Sequence, residues 1–312
     1  MRVVFLGSAD FACASLETLL TSDGVEVVGV LTQPDRPRGR NLALAACPVK
    51  ARVASRLIPV LTPLNVNAPE SLDALRALKP DLLVVVAYGQ ILRRELLGLP
   101  PLGCINLHAS LLPKYRGAAP VVRAVAGGEI ITGVTTMRMN ERMDAGDILM
   151  QRAEPIGAGD TGGSLHDRLA AAGAVLLAET LRALAGGTLR GRTQDEAMVT
   201  MAPKLNKADG RLDWRRTAVE LERCVRAFNP WPVCFCPLPD GDTLRVWQAS
   251  VESCAAGAAP GQVLDAGGLD GPLVAADSGA LRLRSVQLVG RRVMGGAEFL
   301  RGHPLSVGTV LL

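Results

Sequence analysis

The sequence predicts an α/β protein in two domains, an open, mostly parallel sheet wrapped by helices followed by a small β-barrel. Three observations predict it. Short apolar runs at residues 2–6, 25–31, 82–87 and 103–107 alternate with helical patterns such as FACASLETLL and PESLDALRAL, the order of parallel strands joined by crossover helices. The stretch LRGRTQDEAMVTMAPKLNKADG is polar and has no hydrophobic period, which reads as a linker. Beyond it come short strands separated by DG, GG and SG turns, the signature of a small barrel. The boundaries drawn are 1–189 for the first domain, 190–208 for the linker and 209–312 for the second.

The elements follow in chain order. MRVVFLG reads as a buried first strand rather than a signal peptide. GSADFA then supplies a glycine for a tight strand-to-helix turn, but it is neither a dinucleotide fingerprint nor a Walker loop. QPDRPRGRNLALAACPVK is basic at its start, with Arg36, Arg38 and Arg40, and has no periodic pattern. Residues 130–155 read as two strands around a turn in MNERMDAGDIL. AGDTGGSLHDRLAAAGAVLLAETLRALAGG is a capped helix closed by glycines. In the second domain a helix, TAVELERCVRAF, leads into FNPWP, read as a rigid prolyl turn with a packed indole. Strands are expected at 233–238, 243–251, 261–265, 272–276 and 280–287.

Composition narrows the class of function. At 312 residues the chain can build two cores, and its 48% hydrophobic content fits a soluble enzyme. Aromatics at 3% leave little for base stacking and argue against a single-strand binding platform. The net charge of +4 permits contact with a phosphate backbone without demanding it. Seven scattered cysteines, an odd number, argue against a disulfide framework and for a reducing compartment. Cys234 and Cys236 lack a second pair, so no zinc site is expected. No run is long enough to span a bilayer, and a cytoplasmic protein is expected.

The most informative stretch is CINLHASLLPKYRG at 104–117. Residues i and i+2 of a strand share a face, so Asn106 and His108 project together from a carboxyl-terminal strand edge, where open α/β sheets bind ligands. Taken alone, such a triplet could merely satisfy backbone groups. With a carboxylate from the DAGD turn it forms an acyl-transfer set: an amide to stabilise an oxyanion, an imidazole to hold or move a proton, and a carboxylate to orient it. Asp144 and Asp147 are equal candidates for that carboxylate, and the one not facing His108 would bond the turn backbone. His166 reads as a surface or capping residue and His303 as a loop residue.

The run INLHASLLPKYRGAAP, with TGVTTMRMNERMDAGDIL, resembles the core of the folate-dependent formyltransferases, whose shared pattern is N-x-H, then S-L-L-P-x-x-x-G, then an aspartate before G-D. GSADFA, TQPDRPRGR, VVVAYGQIL and RAFNPWP are similar to the branch of that family that acts on aminoacylated initiator tRNA, nearly end to end. The resemblance implies a Rossmann-like formyltransferase domain followed by an OB-like barrel that binds tRNA. It implies 10-formyltetrahydrofolate as formyl donor, no metal, and methionyl-initiator tRNA as acceptor, for translation initiation by a monomeric enzyme. It assigns Asn106, His108 and Asp144 to catalysis. Folate binding falls to Ser110, Leu111, Leu112 and Pro113, with Ile91 as an apolar wall, and contact with the tRNA acceptor arm to Arg36, Arg38 and Arg40. The chain departs from the family pattern at one place: after Arg40 the family tends to continue with lysines, whereas this chain has Asn41, Leu42 and Ala43, so the three arginines carry more of the phosphate contact. The rival expectations are a formyltransferase for a nucleotide-linked sugar or purine precursor, and a tRNA-binding protein with a decayed catalytic core.

Overall fold

The computed structural model describes residues 1–38, 43–254, 257–267 and 270–311. It divides into two compact units, the first comprising 1–120, 131–155 and 166–202, the second 121–130, 156–165 and 203–312.

The first unit is built on a seven-stranded sheet. In chain order its elements are β1 (Arg2–Gly7), α1 (Phe11–Thr21), β2 (Glu26–Leu31), β3 (Arg36–Arg38), β4 (Ala43–Ala45), α2 (Pro48–Arg52), β5 (Val60–Leu61), α3 (Pro69–Ala77), β6 (Leu82–Val86), α4 (Arg94–Leu97) and β7 (Cys104–His108). After α5 (Pro120–Gly127), which from Val121 onward belongs to the second unit, come β8 (Ile131–Arg138), β9 (Ile148–Pro155) and the long helix α6 (Gly162–Ala185), which belongs to the first unit from His166 onward. The strand order is β5-β2-β1-β6-β7-β8-β9. The first five strands in that order are parallel, and β8 and β9 run antiparallel at one edge. Strand β6, LLVVV, is buried at every position, as an unbroken apolar run must be when both sheet faces are covered. One face packs Leu6, Leu31 and Leu83 against Leu72 and Leu75 of α3 and Leu96 of α4.

Two expectations need correction. The basic segment after β2 is not without structure: Arg36 to Arg38 pair antiparallel with Ala43 to Ala45. Three-residue strands carrying a proline are too short to show a period of two, and Pro37 suits an edge. Residues 190–202, expected as linker, are tied to the first unit. Arg192 and Ile148 exchange backbone hydrogen bonds of 2.8 Å, and the Ala202 N–H donates to the Arg116 carbonyl at 2.7 Å. A strap held through backbone and carboxamide groups needs no hydrophobic period, so its sequence resembles free chain.

The second unit contains α7 (Ala218–Ala227), β10 (Cys234–Pro237), β11 (Thr243–Glu252), β12 (Val263–Asp265), β13 (Leu273–Ala275), β14 (Ala280–Leu288), β15 (Met294–Gly295) and α8 (Gly296–Gly302). Thr217 and Glu220 close a capping box at the start of α7. The strands form one antiparallel sheet in the order β10-β11-β14-β13-β12, with β15 beside β14, around a core that includes Val246, Val263, Leu281, Leu283 and Phe299. This is the expected antiparallel β domain. Among the described residues β10 and β12 are not paired, so hydrogen bonding leaves the sheet open, as in a partly open OB barrel. The FNPWP turn departs from expectation: Phe228 is buried, but Trp231 is 51% exposed. Among the described residues no helix is long and apolar enough to cross a membrane, and no cluster of three or more His, Cys, Asp or Glu could hold a metal ion.

Candidate active site

Strand β7 lies between parallel β6 and antiparallel β8, with Asn106 in register with Val85 and Met137 and with His108 opposite Thr135. The two side chains therefore share a face at the carboxyl end of the strand. Asn106 is 9% exposed, and its carboxamide has no hydrogen-bond partner among the described residues, which leaves its donor and acceptor open to a ligand. The His108 side chain is 7% exposed, with Nε2 2.9 Å from the Tyr115 carbonyl oxygen. A carbonyl only accepts, so Nε2 carries a hydrogen and donates it. The other ring nitrogen, Nδ1, lies 3.7 Å from Asp144 Oδ2.

Asp144 occupies the turn between β8 and β9 with a left-handed backbone, φ +50°. Its Oδ2 accepts the Gly117 N–H at 2.8 Å. Gly146 is required where it is, because a Cβ there would stand 1.6 Å from the Arg138 carbonyl oxygen. Asp147 points elsewhere: its Oδ1 accepts from Thr193 Oγ1 at 3.1 Å, and the side chain rests on Gly191. Of the two carboxylates, Asp144 is the one beside His108.

The segment after β7 is pinned by residues that its own sequence does not reveal. Thr135 Oγ1 donates to the Ser110 carbonyl at 2.6 Å and accepts from the Leu112 N–H and from Gln151 Nε2, while Gln151 Nε2 also donates to the Leu112 carbonyl at 2.9 Å. Ser110 is fully buried, its hydroxyl bonded to the Lys114 carbonyl. Leu112 turns inward against Met137 and Ile148. The side chains of Ser110 and Leu112 are thus committed to local structure. Leu111, packed over Gly133, and Pro113 are half-buried. Ile91 is 77% exposed, unlike its core neighbour Leu92, and a cleft of about 280 Å³ is lined by Ile91, Leu92, Arg93, Arg94 and Glu141. Asn67 holds this wall, donating to the Ile91 carbonyl at 2.9 Å and accepting the Arg93 N–H at 2.8 Å.

GSADFA also has a structural role. Ser8 Oγ donates to the Tyr88 carbonyl and accepts the Gln33 N–H, joining loops at the carboxyl ends of β1, β2 and β6. Arg36 reaches Gln33 Oε1 at 3.4 Å. Arg38 lies on β3, and Arg40 lies outside the described residues. His166 pairs with Asp167 and meets the edge of Phe11, while His303 caps α8 and stacks on Phe299.

Residues 1–181 match the family model described as formyl transferase, and residues 204–304 match that of the formyl transferase C-terminal domain. The whole chain aligns with methionyl-tRNA formyltransferase of Geobacter sulfurreducens at 47% identity, covering 96% of that protein, and with that of Pseudomonas entomophila at 49%, covering 99%. The chain belongs to the methionyl-tRNA formyltransferase family. Solved structures of lower identity share its fold. An N-formyltransferase from Helicobacter canadensis, solved with folinic acid and dTDP-3-aminofucose, superposes with a TM-score of 0.67 at 17% identity, over 91% of this chain and 98% of its own. HypX from Aquifex aeolicus superposes with a TM-score of 0.62 at 19% identity over 98% of this chain, which spans about half (48%) of HypX.

Proposed function

We propose that the protein transfers the formyl group of 10-formyltetrahydrofolate to the free amino group of methionine esterified to initiator tRNA, the modification that marks this tRNA for translation initiation. One observation carries the reading: 47–49% identity to methionyl-tRNA formyltransferases over 100% of the chain, both domains included. The site fits the donor. An unpartnered carboxamide stands beside an imidazole at the carboxyl end of β7, and the exposed Ile91 lines a cleft of about 280 Å³.

In this reading the neutral amine attacks the formyl carbon, and the negative charge that develops on the formyl oxygen is met by the Asn106 carboxamide. Because Nε2 of His108 is committed to the Tyr115 carbonyl, Nδ1 is the working nitrogen: it takes the proton that the attacking amine loses as the new C–N bond forms and gives a proton to the folate nitrogen as its bond to the formyl carbon breaks. Asp144, across 3.7 Å from Nδ1, stabilises the imidazolium and fixes which way it faces. The backbone of 110–113, with Leu111 and Pro113, contributes to the folate site, together with Ile91. No covalent enzyme intermediate is required.

The acceptor arm of the tRNA is met by Arg36 and Arg38 of β3 and by Arg40, which follows them in the sequence, and the second domain from about residue 203 contributes further tRNA contact. The test is formyl transfer by the purified chain from 10-formyltetrahydrofolate, offered methionyl-initiator tRNA or a nucleotide-linked amino sugar. Transfer to the tRNA alone supports the reading. Transfer to the sugar alone replaces it with the general formyltransferase alternative.

A further inference from the structure

We infer that Gln194 is a positioning residue that holds the Asp144 turn in its working conformation, an inference that rests on the proposed role of Asp144. Gln194 lies in the strap expected to be linker and is 5% exposed. Its Nε2 donates to the Asp144 carbonyl at 2.9 Å and to the Gly146 carbonyl at 2.7 Å. Its Oε1 accepts from Arg116 Nε at 3.1 Å and Nη2 at 2.8 Å. Both donors and both lone pairs of the carboxamide are used. Its orientation is unambiguous, because a guanidinium has no acceptor to offer and two carbonyls have no donor.

The two carbonyls that Gln194 grips flank Ala145, so they set the backbone from which the Asp144 side chain leaves. Asp144 has φ +50°, a conformation that a non-glycine residue keeps only when its surroundings impose it. The Gly117 N–H fixes the far end of the same side chain, but that contact is useful only if the turn presents Oδ2 to it. Arg116 extends the hold: its Nη1 and Nη2 reach Glu196 at 3.3 and 3.2 Å, and Glu196 also accepts from Arg142, two residues before Asp144. The turn is therefore clamped through its carbonyls by Gln194 and through Arg142 by Glu196, both from the strap. Asp147, by contrast, contacts the strap through Thr193, which leaves Asp144 free to face His108.

Gln194→Glu separates the donor role from the Arg116 contact, because a carboxylate still accepts from the guanidinium but cannot donate to the two carbonyls. The experiment measures kcat and KM for formyl transfer to methionyl-tRNA by the full chain carrying Gln194→Ala, Gln194→Glu, Asp144→Asn, or Asp144→Asn with Gln194→Ala, with thermal melts alongside. A displaced turn should lower kcat on the order of a hundredfold in both Gln194 variants. KM for either substrate should stay within about threefold, because ground-state binding is not removed. In the Asp144→Asn background, Gln194→Ala should cost less than about threefold more, since it acts through a group already disabled. If Gln194→Ala does not fold, Gln194→Glu, with Arg116 still partnered, carries the test alone. Wild-type kcat in a folded Gln194→Glu variant, or losses that multiply in the double variant, would overturn the inference. Full activity of Asp144→Asn would instead overturn the proposed role of Asp144 itself.

Discussion

His108 donates through Nε2 to the main-chain carbonyl of Tyr115 at 2.9 Å. The imidazole is thereby locked by the loop that follows its own strand, and its Nδ1 is turned toward Asp144. The Tyr115 N–H in turn donates to Thr200 Oγ1 at 2.8 Å, so the strap at 190–202 supports the histidine side of the site as well as the aspartate side.

Replacing Asp144 with Asn should be nearly as damaging as removing His108, whereas Asp147→Asn should keep kcat within a few fold. The Asp147 carboxylate accepts from Thr193 and does not face the imidazole. The two kcat values decide it, and the reverse ranking would reassign the carboxylate.

Asn106→Ala should lower kcat on the order of a hundredfold, the usual cost of losing one oxyanion donor. Equilibrium binding of methionyl-tRNA should be unchanged, because the carboxamide is small, buried and unpartnered before reaction. A loss confined to tRNA affinity would place Asn106 outside the chemistry.

Gly117→Ala should destabilise the protein by about 1–3 kcal/mol, because φ is +124° and a Cβ would stand 2.6 Å from the Ala202 carbonyl oxygen. It should also slow catalysis, since the Gly117 N–H is the donor to Asp144 Oδ2. Thermal melts and kcat together check both effects.

Thiol titration near neutral pH should separate the cysteines. Burial pushes Cys104 and Cys236 up to about 12 and raises Cys13, Cys224 and Cys234 as well, so the reactive thiolate is scarce at each. Only Cys47 and Cys254 are partly exposed. An aromatic disulfide reagent should label these two quickly in the native protein and all seven after denaturation. Rapid labelling of Cys234 or Cys236 would contradict the packing of the second unit.

Binding of tRNA should weaken steeply with salt, and replacing Arg36, Arg38 and Arg40 together with alanine should reduce the logarithmic slope by up to about 0.9 for each phosphate no longer neutralised. Folate affinity should not change. An unaltered slope would remove these arginines from the tRNA interface.

The strand pairing of Asn106 and His108 was legible in the sequence because a period of two survives in five residues of buried strand. The division between Asp144 and Asp147 was not, since it depends on a turn whose path is set by the contact of Gly146 with the Arg138 carbonyl. SLLP marked a loop after β7 but not the inward turn of Leu112, which is set by Met137 and Ile148 from strands some distance along the chain. In the second unit β10 to β14 were readable to within about two residues from their turn residues, whereas the two-residue β15 was not. The exposure of Trp231 was not readable, because a prolyl frame fixes the backbone without saying which side the indole faces. The strap around Gln194 was invisible, because its work is done by carboxamide and backbone groups that leave no periodic trace. Its position moves the useful truncation site: residues 1–203 keep the supports of Asp144 and Tyr115, and 1–189 do not.

The most direct test follows labelled formyl transfer from 10-formyltetrahydrofolate to methionyl-initiator tRNA by the intact chain and by His108→Ala, with tRNA binding measured on both. The account predicts formylation by the intact chain, a loss on the order of a hundredfold or more in His108→Ala, and equal tRNA affinity. Absence of transfer by the intact chain, or near-full activity without the imidazole, would contradict it.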